Sequence, residues 1–178
     1  MELEIPSPPR TIMEVYKMLP EGTLAEVING QLYMSPSPNT NHQRVSGKIE
    51  SLLRSYVENH SLGEMFHAPY NVYFDEENNA VQPDIIFVST QNSDIVKSHG
   101  IVGVPDLIVE FFLSPGNNKH DLVTKKELYE KFGVKEYWII DPATKESLVY
   151  QLKNNQYTLA GKEIATLFSP LLTHHFAF

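Results

Sequence analysis

Two stretches of sequence decide the fold: QPDIIFV at residues 82–88 and GVPDLIVEFFLSP at residues 103–115. Within the second stretch, the run LIVEFFL is almost continuously apolar, as expected for a strand buried on both faces of a sheet. Its one charged residue is Glu110, and Asp84 stands directly before the apolar run IIFV. A buried carboxylate needs a cation or strong hydrogen-bond donors, since burial without them is costly or leads to protonation. If the two strands are neighbours, both carboxylates can point to one spot.

The elements around these strands predict an α/β (α+β) fold. Asn29-Gly30, the favoured pair for a type I′ turn, joins TLAEVI to QLYM in an N-terminal β-hairpin. Three helices are predicted: a short one between Thr11 and Pro20, residues 42–59, and residues 121–132, which Gly133 ends. Further strands are predicted at residues 65–74, 81–88, 107–113 and 136–141, followed by a hairpin around residues 153–155. We therefore expect a mixed central β-sheet flanked by helices.

The length, composition and charge of the chain limit the number of domains and the classes of protein to which it can belong. With 178 residues, a single domain over residues 1–178 is expected, with residues 1–10 as a loose arm. A net charge of -8 counts against a large nucleic-acid surface, although a small nuclease site stays compatible with it. The chain has no cysteine, which excludes thiolate metal sites. No apolar run reaches the length of a membrane span and no signal peptide is evident, so we expect a cytoplasmic protein without membrane association.

The predicted helix 121–132 carries a lysine on its core-facing side. At about 100° per residue, one stripe contains Leu122, Lys125, Tyr129 and Phe132, with Asp121 on the same side and Lys126 towards solvent. A lysine in such a stripe either extends its ammonium to solvent or meets a buried acid. Glu110 lies on the strand directly before this helix, so the acid is near. From these patterns alone, a purely structural ion pair among Asp84, Glu110 and Lys125 stays as open as a catalytic one.

Three other polar residues each have two interpretations. His42 continues the helical stripe of Val45, Ile49, Leu52 and Tyr56, so it is either a core histidine or a residue that hydrogen-bonds to substrate phosphate or to a metal-bound water. Glu26 alternates with apolar residues of the hairpin and is either an exposed strand residue or a third acid of the site. Asp106 shares a strand face with Glu110, but its position after Pro105 at a strand start favours a turn or capping role.

These motifs occur in an order that resembles the Uma-type family of restriction-endonuclease-like proteins, a branch of the PD-(D/E)xK nuclease superfamily. The matching pieces are AEVINGQLYMSPSP with His42 following, QPDIIFV, GVPDLIVEFFLSP, Asp121-x3-Lys125-x3-Tyr129 and GVKEYWIIDP. Together they span roughly residues 24–150 of the chain. The resemblance implies that Asp84 is the aspartate of the PD element and Glu110 the acid of the (D/E)xK element. Phe112 stands where the lysine normally follows, and Lys125 matches the lysine that this family carries on the next helix.

The resemblance further implies an activity and a set of partners. We expect a metal-dependent endonuclease that hydrolyses phosphodiester bonds of nucleic acid, with DNA favoured, and that can act as a homodimer. Mg²⁺ or Mn²⁺ is expected to bind Asp84, Glu110 and the backbone carbonyl of Phe111. Lys125 is expected to be catalytic, and Glu26, His42 and Tyr129 are accessory candidates. Two alternatives stay open: a catalytically silent module for binding or dimerisation, and a metal-dependent hydrolase of another phosphate ester.

Overall fold

The computed structural model describes residues 8–112 and 120–178, and for residues 120–122 the backbone alone. The α-helices of this part are α1 (Ile12–Lys17), α2 (Thr40–Asn59) and α3 (Lys126–Phe132). The strands are β1 (Ala25–Ile28), β2 (Gln31–Met34), β3 (Gly63–His67), β4 (Val72–Tyr73), β5 (Ala80–Val81), β6 (Ile85–Ser89), β7 (Val96–Lys97), β8 (Gly100–Val102), β9 (Leu107–Phe111), β10 (Glu136–Ile140), β11 (Glu146–Lys153), β12 (Gln156–Ile164), β13 (Thr166–Ser169) and β14 (His174–Ala177). A 3₁₀ segment, Thr90–Ile95, follows β6, and a π-helical segment, His120–Lys125, leads into α3.

The strands form a mixed central sheet of six strands, a second sheet of six short strands and a separate pair of strands. The central sheet has the order β12-β11-β10-β9-β6-β3, in which β9 and β10 are parallel and the other neighbours are antiparallel. A second sheet, called the N-terminal sheet below, has the order β2-β1-β5-β4-β8-β7, and β13 pairs with β14. The predicted mixed sheet flanked by helices is confirmed.

The N-terminal hairpin and the first helix form as local chemistry dictates. Asn29 and Gly30 both have positive φ, at 50° and 75°, as a type I′ turn requires, and they connect β1 to β2 directly. The hydroxyl of Thr11 accepts a hydrogen bond from the backbone N–H of Glu14 at 3.1 Å and so caps α1. Both predictions are confirmed.

Two predicted strands are interrupted at prolines. The segment 65–74 is divided at Pro69 into β3 and β4, and the segment 81–88 is divided at Pro83 into β5 and β6. Proline has no N–H to donate to a ladder, so a continuous central strand cannot pass through it. At both points the chain passes between the central sheet and the N-terminal sheet. Asp84 consequently stands at the entrance to β6 instead of inside a strand.

Two apolar layers cover the faces of the central sheet. On one face, α2 buries Val45, Ile49, Leu53 and Val57 against β6, β9 and β10. The predicted stripe named Leu52 and Tyr56 instead, which are only partly buried. After Ile49 the buried positions continue in steps of four, which the three-or-four spacing of a helix permits equally well. On the other face, α3 contributes Leu128 and Tyr129 to a second cluster.

The C-terminal segment forms β13 and β14, which are not among the predicted strands. Leu167 and Phe176 from these strands are buried in the layer that α2 covers. The hairpin of β11 and β12 turns at Asn154 and Asn155, both with positive φ, as predicted around residues 153–155. Three predicted parts of the chain lie outside the described residues: the arm over residues 1–7, Leu113, and the loop over residues 114–119. Within the described ranges, no helix has the length and apolar character needed to cross a membrane.

Candidate active site

The candidate site lies where β6 begins and β9 ends. Ile85 pairs with Val109 in the antiparallel β6–β9 ladder, so Asp84 and Glu110 occupy the next pair of facing positions. Facing residues of an antiparallel pair lie on the same side of a sheet. A cavity of about 730 Å³ opens at this point. Its lining includes the predicted site residues Glu26, His42, Asp84, Glu110, Phe111 and Lys125.

Lys125 binds two carboxylates at the base of this cavity. Its Nζ lies 2.9 Å from Oε1 of Glu110 and 3.0 Å from Oε1 of Glu26, and its side chain is 7% exposed. The prediction that this lysine meets buried acid is therefore confirmed. It does so from the end of the π-helical segment, where the assumed 100° per residue does not hold. The side chains of Asp121 and Leu122 lie outside the described residues, and Lys126 is half-buried over the Tyr150 ring instead of fully exposed.

Glu26 belongs to this cluster, and its interpretation as an exposed strand residue is wrong. It is 3% exposed, because β1 lies inside the N-terminal sheet between β2 and β5. Its Oε1 also accepts the backbone N–H of Gln82 at 2.9 Å. The hairpin thus carries an acid to the point where β5 ends and the chain turns towards Asp84.

Tyr129 is a second hydrogen-bond donor to the carboxylate of Glu110. Its hydroxyl donates to Oε1 of Glu110 at 2.7 Å, and the residue is fully buried. Burial, followed by the nearby charges of Glu110 and Glu26, raises the pKa of Tyr129 well above its ordinary value. The phenol therefore stays a donor, so Glu110 Oε1 is fixed by two donors on the α3 side.

Asp84 is oriented by the backbone of β9. Its Oδ2 accepts the N–H of Phe111 at 2.9 Å, and its Oδ1 lies 3.3 Å from Nε2 of His42. The predicted metal ligands therefore lie next to one another at the end of β9, where Asp84 meets Glu110 and the Phe111 carbonyl. This arrangement brings the three together without showing what they bind.

His42 lies in the first turn of α2 with its ring aimed into the cluster. The side chain of Asn39 caps α2 by accepting the His42 N–H at 2.9 Å, and the ring meets Phe111 edge to face at 5.5 Å. Neither ring nitrogen has a hydrogen-bond partner among the described residues, so the 3.3 Å approach of Nε2 to Asp84 lacks the alignment of a hydrogen bond. A buried polar atom without a hydrogen-bond partner lowers the free energy of unfolding by about 1–3 kcal/mol. A histidine serving only the core is normally satisfied, so this geometry favours a role towards a bound group.

The oxygen donors of the cluster suit a hard divalent ion. Asp84, Glu110 and the Phe111 carbonyl offer oxygen ligands, and Mg²⁺ commonly takes one or two carboxylates and keeps several waters. Two carboxylates contact the Lys125 ammonium and a third, that of Asp84, lines the same cavity, which leaves net negative charge for a cation to balance. No group of three His, Asp or Glu side chains at ligand spacing occurs in the described residues. Two carboxylates and one carbonyl are a donor set of the kind that suits Mg²⁺ with several of its waters retained.

Two buried acids lie outside the cavity. Asp106 accepts Lys135 Nζ at 2.6 Å and the Ser89 N–H at 2.8 Å, so its carboxylate joins segments that are distant in sequence, which differs from the predicted turn or capping role. Although burial opposes ionisation, these partners hold the pKa of Asp106 below its ordinary value. Glu136, which the sequence analysis missed, is fully buried, and burial raises its pKa. A charge at the start of the apolar run EYWII is the signal that could have identified it.

The function of Glu136 is to hold the C-terminal segment. Its carboxylate accepts hydrogen bonds from Trp138 Nε1 at 2.6 Å, Ser169 Oγ at 2.6 Å and the Leu171 N–H at 2.7 Å. Two of these donors belong to β13 and the turn that follows it. Glu136 therefore has a structural role that explains its burial without any ligand.

A mixed sheet with acids at adjoining strand ends and a lysine from the next helix defines a restriction-endonuclease-like fold. The family model Uma2, described as "Putative restriction endonuclease", matches residues 12–173. The chain belongs to the Uma2 family, whose description is that of a nuclease. No curated protein matches the chain. A similar solved structure is that of a putative nuclease belonging to DUF820 from Anabaena variabilis ATCC 29413, with 20% identity, 95% coverage of each chain and a TM-score of 0.74. At this identity the likeness shows the fold alone.

Proposed function

We propose that this chain is a Mg²⁺- or Mn²⁺-dependent endonuclease that hydrolyses phosphodiester bonds of DNA. The observation that carries the proposal is the position of Lys125, whose ammonium lies between Glu26 and Glu110 in the cavity that also contains Asp84. Buried charge of this kind in a cleft is typical of a functional site. The description of the family as restriction endonucleases favours DNA as the substrate.

The residues divide into ligands and positioning groups. Asp84, Glu110 and the Phe111 carbonyl would hold the ion. When bound, the ion polarises the phosphodiester and lowers the pKa of a water. Phe111 N–H and Tyr129 fix the two carboxylates before substrate arrives, through bonds of 2.9 Å and 2.7 Å. Such preorganisation reduces the reorganisation needed during the reaction.

Two residues are proposed to act on the substrate. Lys125 Nζ, held by Glu26 and Glu110, provides positive charge for the phosphate oxygen on which charge develops. His42, whose ring nitrogens lack partners among the described residues, is proposed to donate a hydrogen bond to the same phosphate. Glu26 orients Lys125 and is not itself proposed to touch substrate.

A non-catalytic binding module is the second candidate. It is favoured by the ion pairs that already engage Lys125 and by the net charge of -8. Metal binding separates the two functions, as set out in the Discussion. A single domain and a homodimer also stay predictions, which limited proteolysis and sedimentation equilibrium would test.

Cleavage of plasmid DNA in Mg²⁺ or Mn²⁺ tests the proposed activity. Wild type should nick or linearise the plasmid, and Asp84→Ala should lose at least about 100-fold in rate. Asp94→Ala is the matched control, because Asp94 lies on the exposed 3₁₀ segment away from the cavity, and it should keep the wild-type rate. Equal rates for Asp84→Ala and wild type would overturn the assignment of the site.

A further inference from the structure

The reactive groups of the candidate site are recessed below the protein surface. Glu26, His42, Glu110 and Lys125 are 3%, 3%, 4% and 5% exposed, and the side chain of Asp84 is 20% exposed. A phosphate must therefore enter the cavity to reach them. A cavity of about 730 Å³ is of the size that encloses one small ligand. It is large enough for one or two nucleotides of a strand that can bend into it.

Part of the cavity lining is apolar, and Tyr33 adds an aromatic ring to it. β2 and the loop after it contribute Tyr33, Met34, Pro36 and Pro38 to this lining, and Pro69 also belongs to it. Phe66 and Tyr70, whose rings stack at 4.8 Å with an interplanar angle of 6°, flank Pro69 in the chain but are not part of the lining. Aromatic faces beside a cleft are the surfaces on which unpaired bases stack, and such stacking tolerates any base.

The charge of the lining argues against a long backbone contact. Among the described residues that line the cavity, Lys125 is the one Lys or Arg, whereas Glu26, Glu50, Asp84 and Glu110 are acidic. Proteins that follow a duplex neutralise many phosphates with Lys and Arg. A lining with one ammonium among its described side chains offers few contacts to phosphate, and base stacking is the further source of affinity that the experiments below measure.

We propose that the site takes unpaired DNA, one nucleotide at a time, with the base beside the scissile phosphate stacked on Tyr33. This inference rests on the proposed nuclease function for its biological meaning, but the binding preference can be measured without cleavage. A base in a duplex is already stacked on its neighbours and cannot reach this wall. An unpaired strand bends freely, so its phosphate can enter while its base lies against the ring.

Binding of matched oligonucleotides tests the proposal. A fluorescein-labelled 12-nucleotide strand and the same strand annealed to its complement are titrated with the full chain in the absence of divalent ions, with anisotropy as the readout. The single strand should bind at least about 10-fold more tightly than the duplex. Its affinity should fall with salt at a slope of about -1, as one or two phosphate contacts imply. Equal or tighter binding of the duplex, or no binding of the single strand, would overturn the proposal.

Variants of the wall separate stacking from other binding. Tyr33→Leu should weaken single-strand binding by about 5- to 10-fold, and Tyr33→Phe should restore it. Met34→Ala should weaken it too, whereas Met18→Ala is the matched control, since both methionines are about two-thirds exposed but Met18 lies outside the cavity lining. Thermal melting checks that each variant is folded. Unchanged single-strand affinity in Tyr33→Leu would contradict the stacking wall.

Cleavage distinguishes this proposal from the proposed function. If the single strand binds as described but no DNA is cut in Mg²⁺ or Mn²⁺, the nuclease function fails and the substrate preference stands. If duplex is cut as fast as the single strand, the nuclease function stands and the preference for unpaired DNA fails.

Discussion

Lys125 and Glu110 lie 15 residues apart in sequence, yet their side chains meet at 2.9 Å in the interior of the protein. Phe112 occupies the position two residues after the acid, and it packs with the apolar cluster around Tyr129. The ammonium therefore reaches the carboxylate from the start of α3 and not from the strand. A lysine on the helical segment that follows β9 thus lies beside Glu110, where a lysine two residues after the acid on the strand would otherwise lie.

Metal binding should depend on Glu110. We expect Mn²⁺ titrated into the wild type to bind with measurable heat, and Glu110→Gln to abolish that signal, because an amide loses the charge that a divalent ion requires. Isothermal titration calorimetry makes the measurement. Asp106→Asn is a matched control, since Asp106 is equally buried but outside the cavity.

The opposite result has a clear meaning for the second candidate function. A structural cluster predicts that wild type and Glu110→Gln show the same absence of Mn²⁺ binding while Glu110→Gln loses stability. Removing one partner of a buried ion pair costs about 3–5 kcal/mol.

Tyr129→Phe should lower both the stability and the activity of the protein. The change removes the hydrogen bond that the hydroxyl donates to Glu110 at 2.7 Å and leaves the packing of the ring intact. We expect a loss of about 1.5–3 kcal/mol in the free energy of unfolding, since a hydrogen bond to a charged group contributes about that much. The cleavage rate should fall by about 10-fold through misorientation of the carboxylate. Urea unfolding and plasmid cleavage give the two quantities, and an unchanged rate would show that Glu110 needs no such support.

Asp106→Asn should remove part of the acid sensitivity of the fold. Because hydrogen bonds from Lys135 and Ser89 hold the pKa of Asp106 below its ordinary value, ionised Asp106 stabilises the folded state at neutral pH. That contribution is complete above the unfolded pKa of about 3.9 and is lost as the pH falls through the folded value. We expect the variant to lose about 1–3 kcal/mol at pH 7 and to differ less from wild type as the pH drops below about 4. Chemical denaturation at several pH values measures this, and a constant difference down to the lowest pH would contradict it.

The sequence predicted the local structure well where short-range chemistry decides it. Asn29-Gly30 specified its turn, Thr11 its helix start and Gly133 its helix end, since each depends on backbone preferences within a few residues. Burial of Glu110 and Lys125 was predictable because a charge among apolar residues is conspicuous. Their meeting followed from the short connection between strand and helix.

The rest depended on long-range packing that periodicity does not encode. Pro69 and Pro83 were visible, but the sequence does not say that the chain changes sheets there. The burial of Glu26 comes from its central position between β2 and β5, which a pattern of alternation cannot reveal. Glu136 was missed because a charge at a strand end resembles an ordinary exposed terminus.

The most direct test of the account is the single-turnover rate of DNA cleavage by Lys125→Ala at saturating Mn²⁺, compared with Lys126→Ala. The two lysines are adjacent, but Lys126 lies over the Tyr150 ring and outside the cavity lining. We expect Lys125→Ala still to bind Mn²⁺ and to cleave at least about 100-fold more slowly, while Lys126→Ala keeps the wild-type rate. Equal rates for wild type and folded Lys125→Ala would contradict the claim that this lysine belongs to a nuclease active site.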